Sequence, residues 1–240
     1  MQNILDELNI RSKQNRWMRY FTVFCRLALA AGFIPSGSVK IMGERFTALS
    51  DTQPMGQYLT ALYHTGYYYT FIGIAQVTAA ILLLIPRTAL LGALLYFPII
   101  LNICILSFAV RFDGSLLTSP LMVLANFYLL CWDYDKLKYI FLPKTTIPSP
   151  TLPVIPNDKN KFPWRFFSAV IFTMVLVAAA VFSYSIKPYN STKDCLIQFK
   201  ATKRTQAGAQ FCDCIHTQGK SLNTCMEEYS KAPNDSIPHP

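Results

Sequence analysis

Long runs of apolar residues with few charges dominate the middle of the chain and define its predicted elements. Gly66 to Ile85 and Thr88 to Val110 contain no charged residue, and only Pro86-Arg87 separates them. A helix needs about 20 apolar residues to cross the hydrocarbon core of a membrane. The runs lack the alternation of barrel strands, and backbone groups in lipid must be hydrogen-bonded internally. The pattern therefore predicts two membrane-spanning helices joined by a very tight turn.

Three further apolar runs predict three more spans. The first covers about Trp17 to Val39, the fourth about Leu116 to Trp132, and the fifth Phe166 to Ile186. Between the first and second spans, Pro54 to His64 has the pattern of a short amphipathic helix lying across one end of the bundle. The segment from Pro143 to Pro163 contains six prolines and predicts an extended linker.

Together these patterns predict an all-α membrane protein. We expect a four-helix transmembrane bundle, a fifth transmembrane helix and a small disulfide-linked helical tail outside the cytoplasm. The predicted segments are a cytoplasmic leader (1–16), the bundle (17–142), a Pro-rich cytoplasmic linker (143–165), the fifth span (166–186) and the extracytoplasmic tail (187–240). Two short helices are expected in the tail, with Gly219 ending one of them.

Composition and charge support a membrane location. Charged residues make up 15% of the chain and hydrophobic residues 52%, whereas soluble domains average about 25% charged. The net charge of +9 does not indicate nucleic-acid binding, because the basic residues mostly flank the apolar runs. With the amino terminus in the cytoplasm, eleven Lys and Arg residues fall on the cytoplasmic side and three in the short outer loops. We therefore expect an integral protein of a bacterial inner membrane, with the lipid bilayer as its first partner.

The seven cysteines divide into two groups. Three lie in the spans and are expected to be small buried apolar residues: Cys25, Cys104 and Cys131. Four lie in the tail, where the topology predicts an oxidising compartment: Cys195, Cys212, Cys214 and Cys225. A bridge between Cys212 and Cys214 would be strained, so we expect two bridges that join Cys195 and Cys225 to that pair, in either sense.

Two other uses of the tail cysteines stay open at this point. Cys212 and Cys214 could form a reactive Cys-x-Cys exchange site. Cys212, Cys214, His216 and Cys225 could bind a metal, although the spacing matches no trusted zinc pattern. We predict no metal site.

Polar residues from three segments are expected at the outer mouth of the bundle. They are Lys40, Glu44, Arg45, His64, Tyr67, Tyr68, Arg111 and Asp113. Below them, Gln76, Asn102 and Asn126 are uncharged polar groups placed within the bundle. A quinone or small solute would need such donors for its oxygens and aromatic side chains for a ring. The alternative is an interfacial belt combined with interhelical hydrogen bonds.

Arg26 lies inside the first span, on the same face as Lys40, because about four helical turns separate them. A charge in a membrane is costly, so Arg26 either extends to the cytoplasmic headgroups or pairs with a buried partner such as Asp133. Ala28, Gly32 and Ser36 form a stripe of small residues that would allow another helix to approach closely.

The stretch from Arg26 to Lys40 reads RLALAAGFIPSGSVK, with an Arg, then Gly and Phe about two turns later, then Gly-x-x-Lys. Together with the hairpin at Pro86-Arg87-Thr88, it resembles the DoxX family of small integral membrane proteins over about Tyr20 to Tyr139. The resemblance implies a four-helix bundle in the envelope, and some members belong to quinone-linked systems that oxidise sulfur compounds or thiols. This chain departs by having Gln76 where many members have a Glu, and by the added fifth span and tail.

Three functions follow as hypotheses. The first is an accessory or quinone-linked subunit of an envelope thiol or sulfur redox system, with an envelope redox protein as partner. The second is a non-enzymatic anchor or assembly subunit that presents a disulfide-stapled tail to a partner. The third is a small-solute carrier, for which the sequence lacks the inverted repeat common in transporters. The sequence identifies no catalytic residue and does not decide whether the protein is an enzyme, and a quinone is the one cofactor considered.

Overall fold

The structure of the chain is a computed structural model. It describes residues 9, 12–47, 49, 54–110, 112–141, 162–183, 191–200 and 202–235. The regular secondary structure of these residues is helical, which confirms the predicted all-α class. The predicted linker between residues 143 and 161, most of the leader and the last five residues lie outside the described residues.

The helices follow one another with short connections. In chain order they are α1 (Arg16–Ile41), α2 (Pro54–Tyr63), α3 (Tyr67–Leu84), α4 (Ala89–Ala109), α5 (Asp113–Leu116), α6 (Thr118–Trp132), α7 (Tyr134–Phe141), α8 (Trp164–Phe182), α9 (Thr192–Ile197), α10 (Thr205–His216) and α11 (Leu222–Lys231).

Within the described residues, five helical segments are long and apolar enough to cross a membrane. They are Arg16–Ile41, Tyr67–Leu84, Ala89–Ala109, Gly114–Trp132 and Trp164–Phe182. These segments coincide with the five predicted spans to within a few residues. The tight turn between the second and third spans and the short helix α2 also match their predictions.

Four of these helices form a closed bundle. Helix α1 packs against α3 and α6, and α4 packs against the same two helices from the other side. In the core, the rings of Phe33 and Tyr96 stack with their centroids 3.6 Å apart. The Tyr96 hydroxyl donates a hydrogen bond of 3.1 Å to the carbonyl oxygen of Leu29. Van der Waals packing of this kind is the main attraction between helices in lipid, because lipid tails are as apolar as the core.

The close approach of α1 and α3 depends on two glycines. A Cβ on Gly37 would lie 2.8 Å from the carbonyl oxygen of Gly73, and a Cβ on Gly73 would lie 2.7 Å from that of Gly37. The predicted stripe of small residues therefore does not form one interface. Gly32 faces Met122 of α6, Ala28 lines a groove beside α8, and only Ser36 faces α3.

Helix α8 lies beside the bundle. Its start packs against the start of α1, with ring centroids 5.3 Å apart for Trp17 and Phe162 and 5.4 Å apart for Phe21 and Phe166. Val181 is the one buried residue of α8. An apolar groove of about 440 Å³ lies between the first half of α8, as far as Met174, and helices α1 and α6. Aromatic contacts thus join the start of the fifth span to the bundle.

The tail forms a small unit with its own core. Two disulfides, Cys195–Cys212 and Cys214–Cys225, join α9 to α10 and α10 to α11. This is one of the two predicted connectivities. Gly219 has a φ of 62°, and the N–H of Lys220 donates to the carbonyl oxygen of Cys214, so α10 ends as predicted. The described residues of the tail form three helices rather than the two expected.

Candidate functional site

The end of α1 carries a buried lysine. Only 6% of Lys40 is exposed, and its Nζ donates hydrogen bonds to the carbonyl oxygen of Ser36 (2.9 Å) and to its Oγ (2.8 Å). The Ser36 Oγ lies 3.5 Å from Oε1 of Gln76 across the interface with α3. Gly73 leaves room for the lysine, since a Cβ there would lie 2.8 Å from the Cβ of Lys40.

An aromatic side chain covers this lysine. The Nζ of Lys40 lies 4.3 Å from the centroid of the Phe46 ring and 5.9 Å from that of Tyr69. The Tyr69 hydroxyl donates to the carbonyl oxygen of Glu44 and accepts from the N–H of Phe46, both at 3.0 Å. Tyr69 thereby holds the loop that places Phe46 over the ammonium, a favourable cation–π arrangement. We refer to Ser36, Lys40, Phe46, Tyr69 and Gln76 as the Lys40 cluster.

The charge of Lys40 has no opposite charge beside it. Among the described residues, the ion pairs join other lysines and arginines to carboxylates, and none involves Lys40. Removing an ammonium from water costs several kcal/mol unless a counter-charge and hydrogen bonds compensate. For this reason lysine side chains are almost never fully buried in a protein unless they are paired.

The other aromatic and imidazole residues predicted for the mouth lie elsewhere. Tyr67 is 96% exposed and Tyr68 is also exposed, because Tyr69 takes the position of α3 that faces α1. The ring of His64 contacts that of Tyr63, at 5.5 Å between centroids. The structure does not bring these three predicted residues to the Lys40 cluster.

The predicted charged residues of the mouth also do not converge on Lys40. Glu44 contributes its backbone carbonyl to the loop, and Arg45 donates to the carbonyl oxygen of Leu49 (3.1 Å) and to the Thr60 hydroxyl (2.5 Å). Arg111 and the side chain of Asp113 lie outside the described part of the structure.

Two of the three predicted intramembrane amides are buried. Gln76 is in the Lys40 cluster, and Asn126 donates a hydrogen bond of 3.0 Å to the carbonyl oxygen of Ala93. The expectation that Asn102 lies within the bundle is wrong, because its side chain is exposed. Ile100 and Cys104 are the inward-facing positions of this part of α4, so position 102 points to the opposite face.

The buried partner of Arg26 is observed. One terminal nitrogen of Arg26 lies 3.6 Å from Oδ2 of Asp133, and Oδ1 of the same carboxylate lies 3.0 Å from Nζ of Lys136. Both members of the Arg26–Asp133 pair are largely buried. Of the two alternatives for Arg26, the structure therefore shows the ion pair with Asp133.

The tail cysteines are inaccessible in the folded chain. All four are at most 2% exposed and their sulfurs form the two bridges. A metal site at Cys212, Cys214, His216 and Cys225 would need free thiolates, and the described residues contain no cluster of three potential metal ligands. His216 is also buried, which lowers its pKa because burial disfavours the charged imidazolium.

Phe46 and Tyr69 were not singled out from the sequence. Tyr69 is the third residue of a Tyr triplet, and nothing in the triplet distinguishes the inward-facing ring. Phe46 stands in a polar loop with no periodicity. Their roles emerge only when the loop folds back over α1.

Comparison with known proteins gives one informative relative. No family model and no solved structure matches the chain, and the resemblance to the DoxX family stays a prediction. YwoB of Bacillus subtilis (strain 168), described as an uncharacterized protein, is 37% identical over 123 residues, covering 48% of this chain and 79% of YwoB. At this identity and coverage, the chain belongs to the same family as YwoB.

Proposed function

We propose that this protein is a non-enzymatic anchor or assembly subunit of a bacterial inner membrane that presents its tail to a partner outside the cytoplasm. The observation that carries the proposal is the closure of the tail by two disulfides, with every tail cysteine buried. A helical unit this small rarely buries enough apolar surface to fold alone, and disulfides supply the missing stability. Bridges of this kind need an oxidising compartment.

Reciprocal hydrogen bonds between the ends of α10 and α11 make the tail a rigid unit. Arg204, just before α10, donates to the carbonyl oxygens of Tyr229 and Ala232 at the end of α11. Asp235, just after α11, accepts hydrogen bonds from the N–H groups of Thr205 and Gln206 at the start of α10. Each helix end is thus satisfied by the chain flanking the other helix. A rigid unit loses little conformational freedom on binding, which favours recognition by a partner.

Helix α9 offers the apolar part of that surface. Ile197 is 58% exposed and the neighbouring Leu196 is also exposed, whereas α10 and α11 direct their apolar residues into the tail core. Exposed apolar residues that lie together commonly mark interaction sites. We therefore expect the partner to contact α9.

A photo-reactive amino acid at position 197 tests this in intact cells. We expect a discrete cross-linked adduct at Ile197 and none at Asn223, an exposed polar position on α11 that serves as the control. Absence of an adduct at position 197, or the same adducts at both positions, would contradict the presentation of α9 to a partner.

A subunit of an envelope thiol redox system is the second proposal. One observation favours it: Cys212 and Cys214 are separated by one residue and belong to different bridges. A partner thiolate that attacked Cys195 would form a mixed disulfide with it and release Cys212 as a thiolate next to the other bridge. A quinone would be the electron acceptor of such a system. Alkylation of intact cells separates the two proposals, because an anchor keeps all four tail cysteines unreactive under every growth condition, whereas exchange requires Cys212 or Cys214 to react under some condition.

A further inference from the structure

We propose that the Lys40 cluster binds a phosphate-type oxyanion, carried either by a lipid headgroup or by a small free solute. The site consists of the buried ammonium of Lys40 and the Ser36 hydroxyl, covered by the Phe46 ring. This binding site is independent of the role proposed for the tail.

The Lys40 ammonium has hydrogen-bond partners but no counter-charge. Two of the three ammonium N–H groups donate to Ser36, and the third side faces the Phe46 ring. The carbonyl end of α1 contributes at most about half an elementary charge through the helix dipole. Because no carboxylate of the described residues pairs with Lys40, a positive charge remains for an anion to neutralise.

The position of Lys40 along α1 favours a phosphate group. Helix α1 has 26 residues, so it is about 39 Å long at 1.5 Å per residue. The hydrocarbon core of a bilayer is about 30 Å thick. The last turn of α1, which contains Lys40, therefore extends into the headgroup layer, where lipid phosphates and dissolved anions are both present.

The Phe46 ring that covers Lys40 can be displaced. Phe46 lies in the non-helical segment between Met42 and Thr47 and is partly exposed. Its ring makes a cation–π contact with Lys40, which is weaker than an ion pair in the same environment. An oxyanion would therefore replace the ring and accept a hydrogen bond from the ammonium N–H that faces it. It would accept a second one from the Ser36 hydroxyl when that hydroxyl turns away from Oε1 of Gln76.

Thermal unfolding of the purified full-length protein in a neutral detergent tests the site. Phosphatidylglycerol and inorganic phosphate are added separately, with diacylglycerol as the phosphate-free lipid control. We expect one or both phosphate probes to raise the unfolding temperature, and diacylglycerol to leave it unchanged. Stabilisation by phosphatidylglycerol alone identifies a headgroup, and stabilisation by inorganic phosphate identifies a free anion.

Three variants connect the effect to the cluster. Lys40→Met keeps the apolar stem and should fold, because replacing a buried charge by an apolar group is often neutral or stabilising. It should bind the probe about tenfold more weakly or worse, whereas Lys200→Met, at an exposed lysine of the tail, should bind as the unsubstituted protein does. Phe46→Ala removes the competing contact and should bind about threefold more tightly.

Several results would overturn the site. They are the absence of stabilisation by either phosphate probe, unchanged binding in Lys40→Met, or equal losses in Lys40→Met and Lys200→Met, which would indicate attraction by net charge alone. If Lys40→Met does not fold, Phe46→Ala decides: tighter binding supports the site, and unchanged or weaker binding excludes it.

Discussion

Gly37 and Gly73 set the distance between α1 and α3, because a Cβ on either glycine would clash with the carbonyl oxygen of the other. Gly37→Ala must push backbone away from backbone, which side-chain rotation cannot relieve. We expect a loss of about 1–3 kcal/mol in unfolding free energy, measured by denaturant unfolding in detergent.

The same helix offers a matched control for this substitution. A Cβ on Gly32 would clash only with the terminal methyl of Met122, at 2.6 Å, and a flexible methionine can move. Gly32→Ala should therefore cost clearly less than Gly37→Ala. Because alanine favours a helix more than glycine does at both positions, equal costs would show that the backbone contact with Gly73 is not what makes Gly37 sensitive.

His216 makes the tail sensitive to acid. Burial lowers its pKa below the ordinary value of 6.5, so folding favours the neutral imidazole. Its contribution to stability is complete above about pH 6.5 and is lost as the pH falls through the lowered pKa. We expect limited proteolysis of the tail to accelerate from about pH 7.5 to about pH 5, and this acceleration to disappear in His216→Gln.

Asp213 provides the contrast on the same helix. Hydrogen bonds from Gln218 and Thr217 lower the pKa of its carboxyl group below the ordinary value of 3.8. Its effect therefore begins only in stronger acid, and Asp213→Asn should leave the change between about pH 7.5 and about pH 5 in place. An unchanged acid response in His216→Gln would assign that response to another group.

At the scale of single residues, the sequence predicted charges better than contacts. For Arg26 the sequence left two outcomes open, extension to the headgroups or a buried partner such as Asp133, and the structure shows the pair with Asp133. The Phe46 cover could not be anticipated, because loop conformation depends on the tertiary contact with Tyr69. Lys40 and Gln76 were both predicted and lie in the same cluster, but none of the other described mouth residues contributes a side chain to it.

At the scale of elements, each disulfide should stabilise the tail separately from the bundle. The bridges close loops with sequence separations of 17 and 11 residues. Replacing Cys195 and Cys212 by serine should destabilise the tail by about 2–5 kcal/mol, which speeds its proteolysis and leaves thermal unfolding of the bundle unchanged. Cys131→Ser, at a free cysteine of α6 that is exposed and not buried as expected, is the control. If the bundle of this variant unfolded at a lower temperature than that of the unsubstituted protein, the tail and the bundle would not be independent in stability.

The spans were predictable because the lipid hydrocarbon core permits so few backbone structures. Any segment that crosses the hydrocarbon core must satisfy its own backbone and be apolar for about 20 residues. The inward faces of the second and third spans could not be predicted, since apolar residues occupy every face of α3 and α4. This explains why Asn102 of α4 was expected inside the bundle.

The tail was predicted in part. Gly219 marked the end of α10 because a positive φ suits glycine. Two tail helices were expected where three are described, and α9, with six residues, is too short to show periodicity. Its start depends on one local contact, in which the N–H of Asp194 donates to Oγ of Ser191.

At the scale of the whole molecule, the aromatic contacts place the start of α8 beside the start of α1, as Trp17 and Phe162 show. Near the other end of the bundle, a Cβ on Gly219 of the tail would lie 2.8 Å from Nε2 of Gln57 in α2. This arrangement agrees with an odd number of spans and a tail opposite the start of α1. The orientation in the membrane rests on the distribution of Lys and Arg and belongs to the proposal.

The orientation of the tail is the central claim, and paired reporter fusions test it most directly. Alkaline phosphatase, which is active only outside the cytoplasm, and green fluorescent protein, which fluoresces in it, are each fused after Pro240 and, as a control, within the linker after Thr145. We expect phosphatase activity after Pro240 and fluorescence after Thr145. Fluorescence after Pro240, without phosphatase activity there, would place the tail in the reducing cytoplasm. That result would contradict both the disulfide-bonded tail and the proposed partner outside the cytoplasm.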